Sequence, residues 1–301
     1  MQKQREGIAL LITIMFVMLI SVAIGYALKE VNLATKAFKE EQNLYQNSMI
    51  LSDVLSILQS SSALESLADN NSSEELYAFL SSSGFYPIDV GQKKLLISIK
   101  SASAKLNINA LNDITEPFFR DYFSKKMLNS NYVDVLRSFM SKNQAQNEYN
   151  NYTSVFFDAY PNIFREYIAS KKHLEKINRL YMREYHDENL KNVDFEKLFC
   201  YDSDQNRSVD LNYASADVWE LMLGVTPERA ETLAAGGGTY KELQDLKLSE
   251  LESRKLAKFH TSFFEPYLRV SIEVIDEEDS AKMSFEYAIK TKRGYNFVLE
   301  F

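Results

Sequence analysis

From Ile8 to Leu28 the chain carries no charged side chain, reading IALLITIMFVMLISVAIGYAL. At 1.5 Å per residue this run makes a helix of ~31 Å, close to the hydrocarbon thickness of a bilayer. A helix of that length buried in a soluble core would show polar positions along one face. Here only Thr13, Ser21 and Tyr26 interrupt, so a membrane span is expected. Ser21-Val22-Ala23 would also fit the cleavage site of a secretory signal. The sequence after it argues otherwise. Val31, Ala34, Phe38, Tyr45, Met49, Val54, Leu55 and Leu58 recur mostly at three- and four-residue steps, and neither Pro nor Gly occurs between Gly25 and Gly84. That pattern predicts a helix leaving the membrane and continuing into a soluble domain. Charge does not decide orientation, because Lys3 and Arg5 flank one end while Lys29, Lys36 and Lys39 flank the other.

The 301 residues leave room behind the span for one large domain or two small ones. Hydrophobic residues make up 46%, which supports a packed core; 9 Gly and 5 Pro favour helix over a turn-rich all-β fold. A net charge of −8 argues against nucleic acid as a partner, since phosphate affinity needs clustered Lys and Arg. Cys200 is the sole cysteine, which excludes an intrachain disulfide and any multi-cysteine zinc site; it reads as a small buried apolar residue. His173, His186 and His260 are scattered without ligand spacing. No Ser-His-Asp pattern, phosphate loop or H-E-x-x-H is present, and the sequence gives no support to an enzyme.

Helical sequence runs to about Ala68, followed by Ser- and Asn-rich breaks and a short helical piece Glu74–Leu80. A hairpin is predicted next: Tyr86 to Val90, a turn at Gly91-Gln92, and Lys94 to Ile99. Ala104–Leu111 alternates like a strand, with Leu106, Ile108 and Ala110 on one side. Residues 115–199 are helical in pattern and rich in Tyr and Phe. Phe118, Phe119, Tyr122 and Phe123, then Val133, Leu136, Phe139 and Met140, predict two short helices. Phe156 to Ile168 and Leu174 to Tyr181 predict two or three more. A second alternating segment, Ser208–Ser215, echoes the first. Two helices are expected after it, Ala216–Leu223 and Pro227–Ala235, joined by Gly224-Val225-Thr226. Tyr267–Val274, Lys282–Lys290 and Tyr295–Phe301 read as antiparallel strands.

The short basic leader ending in Gly7, followed by Ile8-Ala9-Leu10-Leu11 and a span merging into a long helix, resembles a type IV prepilin signal. The resemblance implies cleavage by a prepilin peptidase between Gly7 and Ile8. Most such proteins carry glutamate at the fifth mature position, which is Ile12 here. That departure is similar to the K family of type II secretion minor pseudopilins, whose place at a filament tip leaves no subunit above to recruit. The paired segments Leu106-Asn107-Ile108-Asn109-Ala110-Leu111 and Leu211-Asn212-Tyr213-Ala214-Ser215 extend the likeness, although Asp210 stands where the second pair's first Asn would be.

The resemblance implies an α+β, pilin-like fold, with an N-terminal transmembrane and amphipathic helix packed on an antiparallel sheet and a helical domain inserted between strands. The expected organisation is a leader at 1–7, a span at 8–28, the pilin-like helix and first strands at 29–111, an insert at 112–265 with a helix-hairpin-helix-like part at 208–240, and C-terminal strands at 266–301. The implied function is structural. The protein would be a single-pass inner-membrane protein with its C-terminal domain in the periplasm. It would assemble with other minor pseudopilins at the tip of a secretion pseudopilus, through interface positions including Ile12, Phe38 and Leu44. The rival implication is a pseudopilin-like part of a DNA-uptake machine whose helix-hairpin-helix touches DNA. Members of the family can bind calcium in the insert, and Asp202-Ser203-Asp204-Gln205-Asn206 opens like a calcium loop. Asp202, Asp204 and Asn206 are the candidate ligands. Arg207 at the usual glycine and Tyr213 at the usual glutamate favour a solvated acidic turn instead.

Overall fold

The computed structural model describes residues 29–30, 38, 41–82, 84–90, 93–140, 164–275 and 280–300. The leader and the expected span lie outside these residues, and with them Gly7, Ile8 and Ile12. Among the described residues no helix is long and apolar enough to cross a membrane. The chain divides into two units, Met1–Ser60 and Ser61–Phe301.

In the first unit, residues 41–60 form helix α1. Asn47, Val54 and Leu58 are buried and, seven and four residues apart, share one face. Tyr45 and Met49 stand one turn apart on the opposite face and are exposed (69% and 51%).

The second unit opens with two short helices. Ser61 caps α2 (Ser62–Asn70) by accepting from the Leu64 N–H, and Asn71 ends it in the left-handed conformation (φ 48°). The Ser72 hydroxyl accepts from Glu75 N–H at the start of α3 (Ser73–Ser82). The expected hairpin follows as β1 (Phe85–Val90) and β2 (Lys93–Ser101), antiparallel and in register from Val90 opposite Lys93. Three further strands complete a five-stranded sheet: β7 (Tyr267–Ile275), β8 (Ser280–Ala288) and β9 (Arg293–Glu300), in the order β1-β2-β7-β8-β9 with every neighbour antiparallel. Alternation of apolar residues explains the sheet. Leu95, Ile97 and Ile99 on β2, Leu268, Val270, Ile272 and Val274 on β7, and Met283, Phe285 and Tyr287 on β8 bury one face.

Between β2 and β7 the chain leaves the sheet, and residues 102–140 and 164–266 build a helical body with its own apolar cluster running from Leu106 to Phe259. Its longer helices among the described residues are α4 (Glu116–Lys125), α5 (Asn131–Met140), α6 (Lys171–Tyr185), α7 (Ala216–Leu223), α8 (Pro227–Ala235) and α9 (Glu250–Leu256). The aromatic stripe of the sequence is its core. The Phe119 and Phe199 rings stack at 5.8 Å, Tyr132 meets Phe123 and Tyr181 edge-on at 4.9 Å each, and the Tyr132 hydroxyl donates to Asn178 Oδ1. A fully buried ring of this kind stabilises the fold by ~2–3 kcal/mol.

Two departures from the sequence reading have a common cause. The segments expected to run as strands over Ala104–Leu111 and Ser208–Ser215 form only two-residue strands, β3 (Leu106–Asn107) and β5 (Val209–Asp210). Each ends where a side-chain oxygen, Asn107 Oδ1 or Asp210 Oδ1, accepts from the N–H two residues on and turns the chain. Residues 164–170 are likewise not helical. The Asn109 side chain takes both the N–H and the carbonyl of Ile168, which removes them from a helical ladder. Phe156, Phe157 and Ile163, also expected in helices, lie outside the described residues.

Candidate functional site

Four buried polar residues of the insert, Asn107, Asn109, Asp210 and Asn212, lie in or just after two of its short strands. β3 pairs in parallel with β4 (Phe199–Cys200), and β5 pairs in parallel with β6 (Thr261–Ser262). The insert is therefore closed twice by the same device: a short strand, an Asx turn and a returning parallel strand. The echo seen between the two Asn-bearing sequences is this structural repeat.

Buried amides hold both copies. Asn107 is 1% exposed and uses its full hydrogen-bonding capacity. Its Nδ2 donates to the carbonyls of Asp202 (3.0 Å) and Asp204 (2.8 Å), and its Oδ1 accepts from the N–H groups of Asn109 and Asp202. Asn109 Nδ2 donates to the carbonyls of Ile168 and Asp202. In the second copy Asn212 Nδ2 donates to the carbonyls of Tyr240 and Phe263 (2.9 Å each), and Oδ1 accepts from Gly238 and Tyr240 N–H (2.9 and 3.0 Å).

Asp210 departs from the paired pattern for a reason the structure supplies. Its Oδ1 accepts from Asn212 N–H and its Oδ2 from Glu265 N–H at 2.9 Å, so both oxygens face donors. An asparagine here would turn an NH2 group toward one of those N–H groups. Burial pushes the Asp210 carboxyl up to about 6, against the lowering effect of the two N–H donors.

The acidic turn at 202–206 lies beside Asn107. Asp202 Oδ1 accepts from Asp204 N–H, and Asp204 Oδ1 accepts from Asn206 N–H. Asp202 Oδ2 faces Arg207, whose Nη1 lies 2.9 Å from it and 2.8 Å from Glu286 Oε2 on β8. Arg207 Nη2 donates to the carbonyl of Ala102, just past β2, and Asn296 Nδ2 also reaches Glu286. Calcium takes six to eight oxygens at 2.3–2.6 Å. Here the Asp202 and Asp204 carbonyls serve the Asn107 amide and the Asp202 carboxylate serves a guanidinium, so the residues present do not fit a calcium loop. Among the described residues no group of three acidic, His or Cys side chains converges to hold a metal.

In the sequence Arg207 reads only as a mismatch to a calcium loop, and Glu286 does not stand out. Alternation puts Glu286 on the outward face of β8, yet it is 6% exposed. A lone acid within a strand, together with an arginine inside an acidic turn, was the available signal.

The two helices expected on either side of Gly224-Val225-Thr226 form over Ala216–Leu223 and Pro227–Ala235. Gly224 closes α7 at φ 63°, and Thr226 caps α8 by accepting from Arg229 N–H, with Pro227 in the first turn. Lys125 Nζ donates to the Gly224 carbonyl and Lys255 Nζ to the Leu223 carbonyl. Lys126 is paired with the buried Glu220 at 3.0 Å. These lysines therefore serve the protein's own oxygens. Glu228 and Glu231 are exposed on α8.

Of the proposed interface positions, Phe38 (68%) and Leu44 (43%) are exposed. Helical spacing does not align them on α1: Leu44 flanks the buried face, while Tyr45 and Met49 share the opposite one. Cys200 is buried, and burial pushes its thiol up to about 11.

No protein-family model matches the chain, and no curated protein matches it in sequence. Among solved structures, the chain is similar to one in the crystal structure of the GspK-GspI-GspJ complex from the enterotoxigenic Escherichia coli type 2 secretion system. The likeness covers 87% of this chain and 97% of that one, with a TM-score of 0.56 and 12% sequence identity. The two share a fold. It is the mixed α+β, antiparallel-sheet architecture described above.

Proposed function

We propose that this chain is a minor pseudopilin of a type II secretion or related system. It is a structural protein rather than an enzyme. In this reading residues 8–28 anchor it in the inner membrane, a prepilin peptidase cuts between Gly7 and Ile8, and the rest of the chain lies in the periplasm. It assembles with other minor pseudopilins at the pseudopilus tip. The observation that carries the proposal is the fold-level likeness over 87% of the chain to a component of the GspK-GspI-GspJ complex. Exposed apolar side chains at Phe38, Leu44, Tyr45 and Met49 support co-assembly, because a helix with apolar residues outside its buried face invites a partner. The insert supports a tip position: residues 102–140 and 164–266 form a body as large as a typical domain, and such bulk obstructs a subunit stacked above it. No comparable observation favours the DNA-uptake reading, since the lysines around the hairpin already pair with the protein's own oxygens.

The test is crosslinking in native membranes followed by purification of the full chain. Wild type is expected to bring down other pilin-like proteins in substoichiometric amounts, and the double variant Phe38→Glu, Leu44→Glu to bring down at least ~10-fold less, the effect of about 1.4 kcal/mol. Recovery undiminished by the double variant would sink the interface. Abundance equal to that of a shaft subunit would sink the tip position.

A further inference from the structure

We propose that Arg207 is the resident cation of the 202–207 turn, so that the insert is fastened to the sheet without any metal. The turn has the opening of a cation-binding loop, Asp202-Ser203-Asp204-Gln205-Asn206, and it folds around a positive charge supplied by its own next residue. One nitrogen, Arg207 Nη1, lies 2.9 Å from Asp202 Oδ2 and 2.8 Å from Glu286 Oε2. Its neighbour Nη2 lies 3.0 Å from the Ala102 carbonyl. Two carboxylates and a carbonyl thus converge on a single guanidinium, an oxygen set that would suit a hard divalent ion if the arginine were absent. The side chains are nearly closed to solvent, 13% exposed for Arg207 and 9% for Glu286.

The three oxygens come from three parts of the chain: the acidic turn of the insert, strand β8, and the residue that follows β2. The guanidinium therefore ties the insert to two strands of the sheet. Its planar fork suits the task, because separate nitrogens can serve the carboxylates and the carbonyl together. Removing it leaves Asp202 and Glu286 facing each other with no counter-charge. Breaking a buried pair in this way is costly, whereas filling the gap with another cation relieves the repulsion.

The experiment is thermal unfolding of the full chain in detergent, in chelator and in millimolar calcium. Wild type is expected to melt at the same temperature in both. Arg207→Ala should melt ~5–15 °C lower in chelator, and calcium should restore part of the loss, since an ion that binds only the folded state raises its stability. Arg207→Lys keeps the charge without the fork; it should fall between the two and ignore calcium, and it serves as the test if the alanine variant does not fold. A saturable calcium shift in wild type would overturn the proposal by making the turn an ordinary metal loop. So would an alanine variant as stable as wild type, or one destabilised yet indifferent to calcium, or a lysine variant that calcium stabilises.

Discussion

Replacing Asn212 with alanine removes one side chain and strands four backbone groups. The Tyr240 and Phe263 carbonyls lose a donor, and the Gly238 and Tyr240 N–H groups lose an acceptor. Asn212 is 3% exposed, and water does not reach it freely. Each buried group left unsatisfied costs ~1–3 kcal/mol, and neighbouring losses overlap, so a total of ~4 kcal/mol is expected. That is a large share of the 5–15 kcal/mol typical of a folded domain. Asn212→Asp separates the two halves of the effect. It keeps both acceptor bonds but turns a charged oxygen toward two carbonyls, so it should be destabilising at pH 8 and less so at pH 4. Urea unfolding of the full chain followed by tryptophan fluorescence reads both, because Trp219 is fully buried in the insert core. Asn206→Ala, at an exposed position of the acidic turn, is the control and should cost under ~1 kcal/mol. An Asn212→Ala variant as stable as that control would refute the idea that buried amides hold the insert's returns.

Three further outcomes are expected. Burial pushes the Asp210 carboxyl up to about 6 from its ordinary 3.8, so the folded chain holds that proton more tightly than the unfolded one. Its contribution to stability is full below pH 4 and is lost as pH rises through 6, by ~3 kcal/mol at most; Asp210→Asn should flatten the slope in that window, and an unchanged slope would count against the assignment. Gly238 sits at φ 85° with Tyr77 ring carbons within 2.4–2.6 Å of where a Cβ would stand, so Gly238→Ala should cost ~2–4 kcal/mol in urea unfolding, and a cost under ~1 would show that the ring yields freely. Cys200, buried with its thiol pushed up to about 11, should resist alkylation at pH 8 in the native state and react at once in guanidinium; fast native labelling would mean that the insert opens locally.

What could be read from the sequence follows the physics of each element. Helices α7 and α8 were legible residue for residue, because Ser215, Gly224, Thr226 and Pro227 are strong local signals at their ends. The sheet strands were legible from alternation, since one face is buried along β2, β7 and β8. The order of those strands was not, because nothing local says that β2 pairs across the insert with β7. The paired Asn segments were visible as an echo, yet read as strands. Their side chains turn the chain by capturing backbone groups 59 and 28 residues away, as in Asn109 with Ile168 and Asn212 with Tyr240. The cluster around Arg207 was half visible. Asp202 and Asp204 stood out as possible ligands, but Arg207 and Glu286 meet across 79 residues, and no spacing rule joins them.

The placement of the insert between neighbouring strands has a mechanical consequence. Both of its connections lie at the same end of two neighbouring inner strands, where the Ala102 N–H donates to the Tyr267 carbonyl. A push on the insert along the strand direction enters β2 and β7 together, and the hydrogen bonds between those two strands see little relative motion. The load passes instead to the β1–β2 and β7–β8 ladders, which it stresses lengthwise. A ladder stressed lengthwise must break many bonds at once, whereas one peeled from its end breaks them singly. The insert is thus mounted on the sheet like a head on a paired shaft, able to take thrust from either side of the contact without unzipping the strands that carry it.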